Sequence, residues 1–231
     1  MRQTTIILII LIMTIIILIL NAWLPRTTIF GKVLWKGSNK AISNRLVALT
    51  FDDGPGEETN ELLDLLKSKN VSATFFLVGD RINSNEKILV REVNEGHELG
   101  VHTMTHPFLF HKNNELVVEK DLIEKTLLDN EINYSVSFFR PPYGFRTPKT
   151  LSIAKSLNLT TVLWNVFPRD YSADNSDLIV KRVIGKTKPG SIICLHDGPN
   201  NRKNTLEAVG IIIDELRSEG YEFVSLDELN N

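Results

Sequence analysis

Two adjacent carboxylates, Asp52 and Asp53, end the run Leu46–Phe51 and are followed at once by Gly54-Pro55. Side-by-side carboxylates repel each other and are costly near a core, and a cation held by other ligands offsets that repulsion. Asp, Gly and Pro are also ordinary turn formers, so a plain turn is the competing reading. Further along, His102-Thr-Met-Thr-His106 spaces two imidazoles at i and i+4. On a helical turn they share a face and reach one ion. Two unrelated loop histidines would look the same, but His102, His106 and His111 fall close together in a chain with 5 histidines. Two histidines and an aspartate with open positions form the ligand set of a hydrolytic zinc site rather than a structural one. The single cysteine, Cys194, excludes an internal disulfide and a cysteine-based zinc cluster, and reads as a small buried side chain.

Two further groups carry chemistry. Arg140-Pro-Pro-Tyr143-Gly144 is a rigid turn in which Arg140 can fix a carboxylate while Pro141 and Pro142 stiffen the loop presenting Tyr143. Plain turn chemistry with a solvated arginine is the alternative. His196 ends the apolar run Ile192–Leu195 and precedes Asp197-Gly198, a position where a lone histidine is more often structural than catalytic.

These residues need elements to hold them, and past residue 44 the periodicity alternates between two and 3.6. Strand-like runs cover Arg45–Phe51, Ala73–Val78, Glu98–Val101, Ser137–Arg140, Thr160–Asn165, Gly190–His196 and Tyr221–Ser225. Helix-like stretches cover Thr59–Lys69, Glu86–Glu95, Asn114–Glu131, Pro148–Leu157, Ser176–Thr187 and Asn204–Glu219, the last with a capping-box pattern at Asn204 and Glu207. Alternation of this kind implies parallel strands with right-handed crossovers. An open doubly wound sheet and a (β/α) barrel both satisfy it. Asp52, Asp53, His102, His106, Arg140, Asp170 and His196 all sit at carboxyl ends of strands, and only a barrel gathers them into one ring.

The 231 residues are 42% hydrophobic and 23% charged, enough for a single self-supporting core. A net charge of -2 carries no nucleic-acid footprint. Residues 1–24 are a different material: no charge occurs between Arg2 and Arg26. The uncharged stretch Thr4–Leu24 would form a helix of about 31 Å, long enough to cross a bilayer, with Trp23 at the interface and Pro25 as its stop. A retained transmembrane signal anchor is expected, because the apolar run is too long and the residues near Ala22 fit a cleavage site poorly. Cleavage would instead release a secreted form. The organisation expected is an anchor at 1–24, a stalk or linker at 25–44, and one domain at 45–231 lying outside a single-pass cell-membrane span. No obligate protein partner is implied.

In this order, TFDDGP at Thr50–Pro55, HTMTH at His102–His106, RPPYG at Arg140–Gly144 and LHDG at Leu195–Gly198 closely resemble the polysaccharide deacetylase family, the NodB-homology domain of carbohydrate esterase family 4. The resemblance runs from about residue 45 to the carboxyl end. It implies an α/β fold, a distorted (β/α) barrel of about seven parallel strands preceded here by the transmembrane helix. It implies a divalent metal, zinc being the first choice, held by Asp53, His102 and His106. It also implies Asp52 as general base, Arg140 as the residue orienting that base, the Tyr143 backbone N–H as oxyanion hole and His196 as general acid. The reaction implied is hydrolysis of N-acetyl groups on amino sugars with release of acetate. Peptidoglycan N-acetylglucosamine is the first substrate expected and a chitin-like oligomer the second. Trp164, Asp170 and Tyr171 are expected on the substrate-binding wall.

One departure stands out. The family's acid-x-x-Asp-Trp pattern has Phe167 at the first acid and Tyr171 at the tryptophan. The expectation is a His196 primed less well than usual unless Asp170 or Asp197 substitutes, a weaker or more acid-shifted enzyme, and a gain in rate from Phe167→Asp. The rivals are an O-acetyl esterase and a membrane-tethered glycan-binding protein without turnover.

Overall fold

The computed structural model describes residues 2–24, 27, 30–108 and 114–231, the side chains of Arg2 and Trp23 excepted, so His111 lies outside the described residues. Helix α1 (Arg2–Trp23) precedes everything else. Its side chains from Ile6 to Leu20 stay exposed, and Gln3–Ala22 is apolar and long enough to be a candidate membrane span.

A short α2 (Asn39–Ser43) leads into β1 (Leu46–Gly54), and strands and helices then alternate. They are α3 (Thr59–Lys69), β2 (Thr74–Leu77), α4 (Glu86–Asn94), β3 (Glu98–Val101), α5 (Glu115–Asp129), β4 (Phe138–Phe139) and α6 (Pro148–Ser156). After them come β5 (Thr160–Thr161), α7 (Ser176–Ile184), β6 (Ile192–His196), α8 (Lys203–Ser218), β7 (Glu222–Phe223) and α9 (Leu226–Asn230). The strands are parallel in the order β5-β4-β3-β2-β1-β6, with β7 beside the start of β1. Between β5 and β6 the ring closes through one parallel bridge, Val166 to Ile193, with the Cys194 N–H donating to the Val166 carbonyl at 3.0 Å. This is the distorted seven-stranded barrel that the strand pattern and the resemblance implied.

Successive strand side chains point to opposite faces, and the core divides accordingly. Val47, Leu49, Phe51, Phe75, Leu77, Ile193 and Leu195 pack outward against helix residues such as Leu63, Ile212 and Leu216. Ala48, Phe76, Phe138 and Ile192 form a separate inner cluster. Asp52, Arg140 and His196 share the parity of that inner set, so the pleat turns them inward once the apolar residues below have filled the barrel. Register completes the placement, pairing Asp52 with Phe76 on one side and with His196 on the other.

The segment expected as a stalk is packed over most of its described length. Leu34 bridges Val162, the Gly37 N–H donates to the Gly190 carbonyl at 2.8 Å, and the Ser38 N–H donates to the Leu229 carbonyl at 3.0 Å. Leu34 and Ala41 join Leu226 and Leu229 in plugging the inner cluster. Burial of those apolar side chains outweighs a polar composition that reads as loop. The expected capping box at Asn204 is also absent: α8 begins one residue earlier without a side-chain cap, and Ser225 with Glu228 makes a capping box on α9 instead.

Candidate active site

At the carboxyl end of β1, Asp52 is buried and its Oδ1 accepts from Arg140 Nη1 at 2.6 Å. Arg140 is itself fully buried. The same Nη1 donates to Thr50 Oγ1 at 2.8 Å, Nη2 donates to the Leu163 carbonyl at 3.3 Å, and the guanidinium lies 4.0 Å from the Phe76 ring centre. A buried guanidinium needs a partner of opposite charge, and Asp52 supplies it. On its other oxygen Asp52 accepts the Cys194 S–H at 3.3 Å. Burial, together with the Asp52 charge, pushes that thiol well above its ordinary range, so Cys194 stays protonated.

Asp53 faces a different group. Its Oδ1 is buried with no hydrogen-bond partner, 3.4 Å from His102 Nε2 and 3.3 Å from His106 Nε2. The three ligand atoms lie within 4.8 Å of one another. An orphaned buried carboxylate oxygen facing two imidazole nitrogens fits a divalent cation by donor type and by number. Tautomer and charge agree with that fit. His102 Nδ1 lies 2.6 Å from the Arg140 carbonyl, which only accepts, so Nδ1 carries a proton and Nε2 is the nitrogen turned toward Asp53. Burial, with the neighbouring His102 charge, pulls His106 down to about 4, keeping it neutral near pH 7. Burial works against ionisation of Asp53, yet the side-chain contact with His102, joined by the positive charge of the surrounding imidazoles when they are protonated, holds it well below the usual carboxylate range.

The two histidines do not share a helical turn, as their spacing suggested. Thr103 and His106 both adopt left-handed backbone (φ 76° and 52°), and Thr103 Oγ1 accepts the His106 N–H at 3.1 Å. Two residues missed by sequence reasoning support this corner. Glu119 on α5 is fully buried and accepts the His102 N–H at 2.9 Å, and the Arg81 guanidinium donates to the Asp53 carbonyl. Both lie far from their partners in sequence and belong to no spacing pattern.

His196 ends β6 beside Asp52 and leans on Asp170. Asp170 Oδ1 accepts from His196 Nδ1 at 2.8 Å, while its Oδ2 accepts from the His196 N–H and Thr205 Oγ1, both at 2.9 Å. Burial pulls the imidazole's pKa down, but the Asp170 charge and hydrogen bond, joined by the charges of Asp52 and Asp53, outweigh it and leave His196 above its ordinary value. Asp170 is buried and does not line the cavity, so it is the carboxylate under His196 rather than part of the substrate wall. Of the alternatives left open for the missing acid, the structure has Asp170 in that place, which removes the ground for a gain from Phe167→Asp. Asp197 points elsewhere, its Oδ2 accepting from Thr59 Oγ1 at 2.6 Å; burial and the nearby charges of Asp53 and Asp52 push it up to about 7.

A cavity of about 590 Å³ opens over these groups, lined among others by Asp52, Asp53, His102, His106 and His196. Trp164, Phe167 and Tyr171 form one wall: Trp164 and Phe167 stack at 5.0 Å, and Tyr171 stands edge-on to His196 at 5.3 Å. Across the cavity Tyr143 sits in left-handed backbone (φ 58°, ψ 7°), uncommon for a bulky residue and typical of functional sites. The turn's hydrogen bonds run from the Gly144 and Phe145 N–H groups to Pro141 and Pro142, and the Tyr143 N–H makes none among the described residues. A carboxylate held on an arginine, an imidazole held on a carboxylate, an unused N–H and a three-ligand corner around one cavity are the parts that acyl-bond hydrolysis requires.

Known proteins resemble this chain in sequence and fold. The family profile described as polysaccharide deacetylase matches residues 39–162. A peptidoglycan-N-acetylglucosamine deacetylase of Bacillus cereus is 36% identical over 202 residues, covering 86% of this chain and 93% of the relative. The peptidoglycan-N-acetylglucosamine deacetylase PgdA of Listeria monocytogenes is 35% identical over 82% of this chain, which spans 40% of that longer protein. The crystal structure of the Bc1960 peptidoglycan N-acetylglucosamine deacetylase, bound to a substituted N-oxidanyl-benzamide, superposes with a TM-score of 0.79 at 34% identity, covering 86% of this chain and 92% of that one.

Proposed function

Because the chain belongs to the polysaccharide deacetylase family, we propose that it hydrolyses the N-acetyl amide of N-acetylglucosamine units in peptidoglycan, releasing acetate and leaving a free amine. The observation that carries the reading is the pairing of two differently held groups on one cavity: Asp52 on Arg140, and His196 on Asp170. The 36% identity to the Bacillus cereus relative, spanning 93% of that protein, supports the choice of glycan.

Asp53, His102 and His106 would hold a divalent cation, zinc by the character of the donors, and such an ion polarises the acyl oxygen and acidifies water. Arg140 aims Asp52 and neutralises its surroundings, so that Asp52 takes the proton of the attacking water. As the carbonyl carbon becomes tetrahedral its oxygen gains negative charge, and the Tyr143 N–H is free to donate to it. His196, its Nδ1 proton on Asp170, gives a proton from Nε2 to the departing nitrogen. An amine leaves only when protonated, which is why a cationic His196 matters. Water is consumed, the C–N bond breaks, and acetate and an ammonium sugar result. Trp164 and Tyr171 would bracket the sugar and the acetyl methyl. With α1 retained as a single-pass anchor, the domain works outside the membrane on the cell wall.

The test is acetate release by the full-length protein from peptidoglycan and from N-acetylglucosamine oligomers, before and after chelation and zinc restoration. Zinc-dependent release from peptidoglycan is expected. Zinc binding without release from either substrate, but with release from O-acetylated xylan, would replace this reading by an esterase.

A further inference from the structure

A second fully buried arginine lies outside the catalytic cluster. Arg146 is 1% exposed, three residues beyond Tyr143 and next to the Thr147 cap of α6. Its guanidinium bonds all run to the far end of α1 and the turn just beyond it. Nη2 donates to the Leu24 and Thr27 carbonyls at 2.7 and 3.0 Å and to Thr27 Oγ1 at 2.9 Å, and Nη1 donates to the Ala22 carbonyl at 3.5 Å. Its backbone N–H also donates to the Ala22 carbonyl, at 3.1 Å. Among the described residues no carboxylate pairs with it. A buried guanidinium without a counter-ion is costly, and what answers it here is the negative end of α1 together with the carbonyls of Leu24 and Thr27 just beyond it. Asn21 and Ala22 are buried, whereas the apolar side chains from Ile6 to Leu20 are exposed. The helix is therefore bare up to Leu20 and fastened to the barrel within a few residues.

We propose that Arg146 clamps the end of the membrane helix to the loop that carries the Tyr143 N–H, holding the mouth of the cavity at the lipid headgroup layer, so that the enzyme acts on glycan strands lying against the outer face of the bilayer. The inference rests on the reading of α1 as a retained span. Gln3–Ala22, with 20 residues, covers about 30 Å, the thickness of the hydrocarbon core, and this sets Ala22 at the bilayer surface. Three residues of chain separate Arg146 from Tyr143, which places them no more than about 11 Å apart. Tyr143 and Phe108, 49% and 54% exposed, pack together at 5.5 Å near the mouth, and such rings settle at headgroup depth. A flexible stalk would let the domain reach through the thickness of the wall; the clamp removes that freedom.

The experiment uses the full chain in nanodiscs containing headgroup spin-labelled lipid. A fluorophore on Tyr143→Cys reads depth, with Cys194 buried and protonated and so silent to labelling. Strong quenching is expected. It should fall several-fold in Arg146→Met and recover in part in Arg146→Lys, which keeps the charge and some donors. In the labelling-free protein, a lipid-tethered N-acetylglucosamine oligomer in the same disc should be deacetylated about tenfold faster than the free oligomer. Arg146→Met should lose that preference while its rate on the free oligomer holds, showing an intact fold. Should Arg146→Met fail to fold, Thr27→Val, which removes one acceptor, should show a smaller loss of the same kind. Chain that floats with vesicles but shows an unquenched label, or quenching unchanged by Arg146→Met, overturns the clamp alone. Chain that does not float overturns the anchor, and the clamp with it.

Discussion

Asp170→Asn isolates the group that primes the acid. Asp170 Oδ2 accepts from the His196 N–H and from Thr205, and Oδ1 accepts from His196 Nδ1. An asparagine keeps the first two bonds by leaving its oxygen in place of Oδ2. Its NH₂ then meets Nδ1 at about the 2.8 Å now spanned by a charge-assisted bond. Two donors cannot face each other, so the proton moves to Nε2 and the neutral ring accepts from the amide. The lost charge-assisted bond is worth about 1.5–3 kcal/mol. Loss of the acid itself should lower kcat by about 10²–10⁴-fold. The direction with pH follows. Burial lowers the His196 pKa and Asp170 leads the charges that raise it, so removing Asp170 leaves burial less opposed and the pKa falls. Activity needs the protonated ring, hence the alkaline limb of the kcat profile should move to lower pH. Acetate release across pH, with thermal unfolding to confirm the fold, decides the matter. An alkaline limb that stays put in a folded Asp170→Asn protein would sink the argument that Asp170 sets the state of His196.

Three other outcomes are expected. Phe167→Asp should not raise kcat, since His196 already has its carboxylate and the change would cost the stack on Trp164; a rise in acetate release would restore the missing-acid explanation. His106→Ala should lower zinc stoichiometry, measured by elemental analysis after dialysis, and reduce activity by several kcal/mol of lost transition-state stabilisation, about 10²-fold or more; full zinc occupancy would exclude His106 as a ligand. Glu92 is fully buried with both oxygens unpartnered, and burial, helped by the Asp197 charge, raises it well above its ordinary value of 4.5. A carboxyl with a raised folded-state pKa contributes its stability at low pH and loses it as pH rises through that pKa. Glu92→Gln should therefore gain Tm relative to the parent as pH is raised, and a pH-independent difference would refute the assignment.

Most of the barrel is legible in the chain because each strand and helix buries one face. β3 and α3 fall at the limits their patterns predict, and the strands on either side of β1 bring Asp52 and His196 together without any local signal. The closure past β5 is not legible, since a single bridge at Val166 leaves no periodic trace. Residues 30–44 mislead for a related reason: Gly, Ser, Asn and Lys make up most of their composition, while the apolar side chains among them decide their fate by long-range packing. The HxxxH spacing picks out two histidines that the structure does bring together beside Asp53, but not on a helical turn, because the backbone reverses hand at Thr103 and His106 instead of coiling. Asp170 illustrates the limit of position alone. Both a substrate-facing and a supporting carboxylate belong at a strand's carboxyl end, and only the side-chain direction separates them.

The alternation of β1 between helix-facing and interior residues has a consequence for how the protein tolerates change. Leu49 and Phe51 serve cohesion, while Thr50 and Asp52 serve Arg140 and the reaction. Along one strand, then, two kinds of failure should interleave residue by residue. A saturation library sorted by cell-surface abundance should show its deepest losses at 49 and 51, and the same library sorted by deacetylation should lose 50 and 52 as well. Deletion of one residue in this strand would exchange the two sets at once, because a slip of one position turns every side chain to the opposite face. Length changes in the connecting loops leave that alternation intact.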